Sequence, residues 1–349
     1  MSANALVIAP MRIGEAVMAQ PLLWLLRQRD PALGLDVLCS ARTAPVFASM
    51  AEVRNVIELT EGRGPQRLAA DLRLGWSLRE REYRRAYVLR DSRAAAALAW
   101  FASIPERIGH RGMSYRPLLN RVHEAQGGHR LPLVEHYARL AFPPREPLPG
   151  RVPAPRLLRR PRRERAVRAA FGLADDAPLF VLCPGPAHGP ARRWPTRHYA
   201  SLASLLADEW PEAELVMLGS ENERSVATEI AALSGQPVRN LAGRTSVEDT
   251  IAIVSQARGV VSGDSGLMHL AAAFGRPQVA IFGATDPRHT PPRSPRARIE
   301  WLDLACSPCF QHECPLGHLD CLNRISPVSV FENLGKAIHF ETVGTRHVR

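Results

Sequence analysis

The chain is predicted to be α/β, built from two doubly wound units of Rossmann type, and three features carry that expectation. Apolar runs of four or five residues alternate with longer stretches of helical periodicity. Loops containing glycine or proline follow several of those runs, as they do beyond the carboxyl ends of parallel strands. A proline-dense block interrupts the pattern, which then begins again.

Taken in order, Ala5–Ala9 reads as the first strand. The loop Pro10-Met-Arg-Ile-Gly14 follows, then an amphipathic helix carrying Val17, Leu22, Leu25 and Leu26. Leu35–Cys39, Val56–Leu59 and Ala86–Leu89 read as further parallel strands, with helical stretches between them. Seven prolines lie between Pro143 and Pro161. Proline has a fixed φ and no N–H to donate, which excludes the interior of a helix or sheet, so this block reads as a linker. Beyond it, Leu179–Cys183 is a strand ending in a Gly/Pro loop, and Thr196–Glu209 is a helix. Leu215–Leu218 is the next strand, closing at Gly219-Ser220. Thr245 and Glu248 read as a capping box that opens a helix. Gly259–Ser262 is a strand running into Gly263-Asp-Ser-Gly266, and Val279–Phe282 is a strand ending at Gly283. The expected organisation is a first Rossmann-like domain over 1–145 and a Pro/Arg-rich linker over 146–172. A second Rossmann-like domain follows over 173–325, then a terminal helix and tail over 326–349.

A length of 349 residues suits about two domains, and 46% hydrophobic with 23% charged residues excludes wholesale disorder. No run approaches the ~18 consecutive apolar residues of a membrane span. Ala5–Ala9 has no basic region before it and no small-residue cleavage site behind it, so the chain is expected to stay in the cytoplasm. The net charge of +11 invites a nucleic-acid reading. However, residues 143–165 hold eight arginines against two glutamates, and no aromatic side chain is interleaved with them for base stacking. A phosphate-bearing partner or an anionic membrane surface remains compatible with the charge. Lys336 is the only lysine and has no phosphate-cradling loop around it, which excludes a P-loop NTPase and leaves a lysine Schiff base unsupported.

Four loops fall where an open α/β sheet binds ligands. In Pro10–Glu15 a glycine precedes a carboxylate at a helix start. No G-x-G-x-x-G follows, so a dinucleotide site has no support, and Glu15 is either a helix-capping acid or a site residue. Pro184–Trp194 exposes backbone N–H groups and then offers the guanidinium forks of Arg192 and Arg193, which suits a diphosphate. Gly263-Asp264-Ser265-Gly266-Leu-Met-His269 opens a helix directly after a strand, leaving backbone donors free for an anion, with Asp264 at the mouth. Gly283-Ala-Thr285-Asp286 is the fourth.

Taken together these residues resemble a family. Ile13-Gly-Glu-Ala-Val-Met-Ala-Gln-Pro21, Cys183-Pro-Gly with Gly-Pro-Ala-Arg-Arg-Trp-Pro195, Asn240-Leu-Ala-Gly243 and Asp264-Ser-Gly-Leu-Met-His269 look like the lipopolysaccharide heptosyltransferases. Thr290-Pro-Pro292 and Cys306-Ser-Pro-Cys-Phe with Cys314-Pro-Leu-Gly-His318 resemble the heptosyltransferase II branch. The resemblance implies a GT-B fold, two Rossmann-like domains facing a central cleft. It also implies inverting transfer of L-glycero-D-manno-heptose from ADP-heptose to the first heptose of the lipid A core, at the cytoplasmic face of the inner membrane. By the same resemblance Glu15 falls where the family places its general base, usually an Asp. Arg192, with Arg193 beside it, falls where a basic residue, usually Lys, meets the donor phosphates. Asp264 matches the acid that holds the transferred sugar, and Ser265, Gly266 and His269 match the phosphate-contacting helix start. No catalytic cofactor is expected, because helix amides and arginines can absorb the leaving-group charge.

Two other classes compete: a repurposed GT-B relative, including a nucleotide-sugar epimerase or a transferase for another acceptor, and an arginine-rich nucleic-acid binder. A separate feature is the cluster Cys306, Cys309, Cys314 and Cys321, spaced C-x2-C-x4-C-x6-C. Four thiols so close in a cytoplasmic chain are either ligands of a structural zinc or reduced cysteines in a Pro/Gly loop.

Overall fold

The computed structural model describes residues 4–59, 65–111, 117–124, 131–148, 150–185 and 189–344. It divides into two compact units, Met1–Leu158 and Arg159–Arg349. The first contains β1 (Asn4–Ile8), α1 (Ile13–Met18), α2 (Gln20–Arg29), β2 (Gly34–Cys39), α3 (Ala44–Phe47), β3 (Val53–Glu58) and α4 (Pro65–Arg79). It continues with β4 (Tyr83–Val88), α5 (Arg93–Phe101), β5 (Glu106–His110), β6 (Arg121–His123) and α6 (Leu133–Ala138). Its six strands form one parallel sheet, ordered β3-β2-β1-β4-β5-β6. Strand order reverses between β1 and β4, whose registers pair Val7 with Val37 on one side and Tyr87 on the other. β2 is buried along its whole length and β1 after Asn4, because helices cover both faces.

The second unit contains α7 (Pro161–Phe171), β7 (Leu179–Cys183), α8 (Thr196–Glu209), β8 (Glu214–Met217), α9 (Arg224–Ser234), β9 (Val238–Asn240) and α10 (Val247–Ser255). Next come β10 (Gly259–Gly263), α11 (Gly266–Ala273), β11 (Gln278–Ile281), β12 (Ala297–Glu300), α12 (Asp320–Asn323) and α13 (Pro327–Gly344). Its sheet is again six parallel strands, β12-β11-β10-β7-β8-β9, reversing between β7 and β10. Its core joins Phe180, Leu182, Val261 and Ile281 from the sheet to Tyr199 and Leu206 of α8 and Val330 and Leu334 of α13.

Several sequence expectations change. The single helix expected after β1 is two, α1 and α2, broken at Ala19. Pro21 sits in the first turn of α2, where its missing N–H leaves no bond unmade. The capping box of α10 is set one residue later than read: Ser246 and Asp249 close it, the Asp249 N–H donating to Ser246 Oγ at 3.1 Å. The expected linker 146–172 is not structureless throughout. Val152 and Leu157 are buried, and the Leu158 N–H donates to Ser49 O within the first unit. Pro161 then starts α7, which packs against α10 in the second. Some arginines of this stretch are paired there, Arg159 with Glu164 at 2.7 Å, Arg163 with Asp249 at 2.6 Å and Arg168 with Gln256 at 2.6 Å, while Arg151, Arg156, Arg162 and Arg165 are exposed. Part of the basic stretch is therefore tied into the second unit's own structure.

Candidate active site

In the first unit the chain leaves β1 at the topological switch point and turns into α1, with Arg12 as N-cap and Glu15 in the third helical position. The Glu15 carboxylate accepts the Arg12 backbone N–H and lies 3.8 Å from the Arg12 guanidinium. Those two interactions are those of a helix cap, yet they do not dominate. Burial raises the Glu15 pKa above its ordinary value, and Arg12 only partly offsets it. Beneath it Tyr137 of α6 is almost fully buried, its hydroxyl pushed up by burial and by the Glu15 charge. A half-buried carboxylate of raised proton affinity, at a sheet's carboxyl edge, has the properties of a general base.

The same edge holds a histidine cluster that sequence reading passed over, because its members lie far apart in the chain. His110 ends β5 and stacks on His136 with ring centroids 3.5 Å apart, and His123 ends β6. Burial first, and neighbouring positive charge second, lowers His110 to about 3 and His123 to about 4, so both are neutral near pH 7.

In the second unit the loop after β7 is anchored from below. Trp194 is enclosed and its indole N–H donates to Ile325 O at 3.0 Å, while the Tyr199 hydroxyl donates to Cys183 O at 2.9 Å. Pro186–His188 of the loop lie outside the described residues. Gly189 has φ +93°, and a Cβ there would come within 2.5 Å of His312 O, so only glycine fits. The loop delivers Arg192 with a buried Nε that has no hydrogen-bond partner among the described residues, and half-buried Arg193 beside it.

Asp264 follows β10. Burial raises its pKa, while a hydrogen bond from Thr285 and the charges of Arg192 and His289 pull it back. Asp264 and Thr285 follow β10 and β11 and Arg192 lies in the loop after β7, while His289 lies just beyond the fourth loop in no motif that the sequence marks. Asp286 of that loop is occupied: it holds the Arg288 guanidinium at 2.9 and 3.0 Å. Ser265 is the N-cap of α11, accepting from the Leu267 N–H at 3.3 Å, so the helix opens onto the same edge together with Gly266. His269 is different in kind. It is enclosed within the unit, and burial lowers its pKa to about 4, so it is not a cation near pH 7.

The four cysteines 306, 309, 314 and 321 are all free and line one cavity. Among the described residues no group of three or more His, Cys, Asp or Glu side chains is arranged to hold a metal ion as it stands. Nor, among them, is any helix long and apolar enough to cross a membrane.

The arrangement can bind an anion at the second sheet's edge and accept a proton at the first's. Residues 72–320 match glycosyltransferase family 9 (heptosyltransferase). The chain is 35% identical to the lipopolysaccharide heptosyltransferase 2 of Salmonella typhimurium over 97% of its own length and 99% of that protein's. It superposes on the E. coli ADP-heptose lps heptosyltransferase II with a TM-score of 0.85 and 33% identity, covering 97% of this chain and 100% of that one. The E. coli heptosyltransferase WaaC with ADP shares the fold at a TM-score of 0.70 and 19% identity, covering 96% of this chain and 99% of that one.

Proposed function

The chain belongs to glycosyltransferase family 9 and is a glycosyltransferase of GT-B fold, and on that premise we propose the reaction it performs. It moves L-glycero-D-manno-heptose from ADP-heptose onto the first heptose of the lipopolysaccharide inner core, inverting the anomeric carbon. The observation that carries this reading is the convergence of Asp264, Thr285, Arg192 and His289 at the carboxyl edge of the second sheet. A carboxylate for sugar hydroxyls and a guanidinium for phosphate are what a nucleotide-sugar donor requires.

The second unit holds the donor. Arg192 and Arg193 take the diphosphate together with the free N–H groups at the start of α11, around Ser265 and Gly266. Asp264 accepts hydroxyls of the transferred heptose. The first unit supplies Glu15. The acceptor oxygen forms its bond to the anomeric carbon as the bond from that carbon to the diphosphate oxygen breaks, and the hydroxyl proton passes to Glu15. ADP leaves with the electron pair, its charge met by the arginines and the helix amides, so the chemistry requires no metal. His269, neutral and enclosed, packs on the buried face of α11. The acceptor is a lipid A–core glycolipid, and the enzyme works at the cytoplasmic face of the inner membrane.

Replacing Glu15 by Gln tests the assignment. Gln keeps the shape and can still accept the Arg12 N–H, so ADP affinity should be unchanged while turnover falls by at least about 10²-fold. Wild-type turnover in that variant would return Glu15 to a capping role.

A further inference from the structure

The loop between β12 and α12, with the start of α12, carries chemistry that the transfer reaction does not use. Cys306, Cys309, Cys314 and Cys321 all line one cavity, and Ala191 and Ala284 close its other side. None of the four is in a disulfide. The Cys314 sulfur faces the backbone N–H groups of Leu319, Leu316, Gly317 and His318. Four sulfurs gathered into one cavity repel one another when ionised, and a cation between them would remove that repulsion.

The same loop also braces the donor side of the unit. The Ser307 hydroxyl donates to Gly283 O at 2.6 Å and the Phe310 N–H to Ala284 O at 2.7 Å, both in the loop after β11. The Ala191 N–H donates to His312 O at 3.3 Å, and Gly189 lies against the same carbonyl. The cysteine loop thus grips the segments that present Arg192 and Thr285.

The geometry points to Cys306, Cys309, Cys314 and Cys321 as a tetrathiolate site for a thiophilic divalent cation of the zinc class, which locks the loop that positions Arg192. Four cysteine ligands would fill a structural site of that class and leave no position for substrate. The positioning half of this inference rests on the donor-site reading above; the metal half does not.

Elemental analysis of the full-length protein, purified without chelator, separates the two. One zinc or iron per chain is expected, and cobalt(II) exchanged into the site should show the intense sulfur-to-cobalt charge-transfer absorption of thiolate ligation. Cys309→Ser and Cys314→Ser should each lose most of the metal, while Cys39→Ser keeps it. Wild-type protein with no bound metal, or with mass-detectable disulfides among these four residues, overturns the site, whether or not the variants fold. In the metal-free protein ADP should bind several-fold more weakly, with recovery on adding zinc. Full metal loading with ADP affinity indifferent to its removal overturns the positioning role alone. A protein that loads metal but never binds ADP refutes the donor-site reading and the positioning role that rests on it, while the metal site stands.

Discussion

Arg192→Ala removes a guanidinium whose buried Nε has no hydrogen-bond partner among the described residues and whose charge faces Asp264. Two effects follow. A charge-assisted bond to the donor diphosphate is lost, worth about 1.5–3 kcal/mol, or roughly 10- to 150-fold in affinity. Asp264 also loses one of the two positive neighbours that offset its burial, so its carboxyl moves further up. A protonated Asp264 is a poorer acceptor for sugar hydroxyls, so the acid side of the activity profile should move toward neutral pH in this variant. Isothermal titration with ADP reads the first effect, and a pH series of initial rates reads the second. Arg192→Lys keeps the charge without the fork, and should fall between wild type and Ala. ADP affinity and pH profile both unchanged in Arg192→Ala would refute the reasoning and make the residue part of a solvated turn.

Other consequences are equally direct. Glu15 must be ionised to act, and burial raises its pKa above the ordinary 4.5, so kcat should fall as pH drops through that raised value. A raised folded-state pKa contributes stability only at low pH and loses it as pH rises, so Glu15→Gln at neutral pH should melt no lower than wild type. Glu15→Asp withdraws the carboxylate by about 1 Å, a displacement that can cost on the order of 10²-fold in rate, so it should be slower. Gly189→Ala forces a Cβ to within 2.5 Å of His312 O at φ +93°, and should lower stability by about 1–3 kcal/mol and weaken ADP binding. Asp36 sits away from the site. Burial would raise its carboxyl, but hydrogen bonds from Arg54, Tyr83 and Asn55 outweigh this and hold it low. Its contribution is present at neutral pH and is lost as pH falls through the lowered value. Asp36→Asn should therefore destabilise by about 1–3 kcal/mol at pH 7, and less under acid, as read by denaturant melts.

The legible part of the fold was the part buried on both faces. β1, β2, β7, β10 and β11 are mostly apolar because helices cover them above and below, with Asp36, Ser262 and Gln278 as buried polar exceptions, and the sequence pattern places each within one residue or so at either end. β5, β6, β9 and β12 were missed. They read Glu-Arg-Ile-Gly-His, Arg-Val-His, Val-Arg-Asn and Ala-Arg-Ile-Glu, short segments toward the sheet edges where solvent tolerates charge and erases periodicity. At the site, motifs that sit on strand ends were readable because glycines and a carboxylate mark the turn. Groups that arrive through space, such as Tyr137 under Glu15 or His289 beside Asp264, left no local mark. Burial of His269 was equally invisible, since one histidine on an apolar helix looks the same whether it faces a ligand or the core.

This chain is expected to add a second heptose to an acceptor that already bears one. Incubating the full-length protein with ADP-heptose and core acceptors carrying zero, one or two heptoses tests it most directly, with products read by mass spectrometry. The account predicts a single added heptose on the one-heptose acceptor, little on the other two, and no product on any of them with Glu15→Gln. Transfer to the heptose-free acceptor instead, or ADP-heptose left intact with all three, would contradict it.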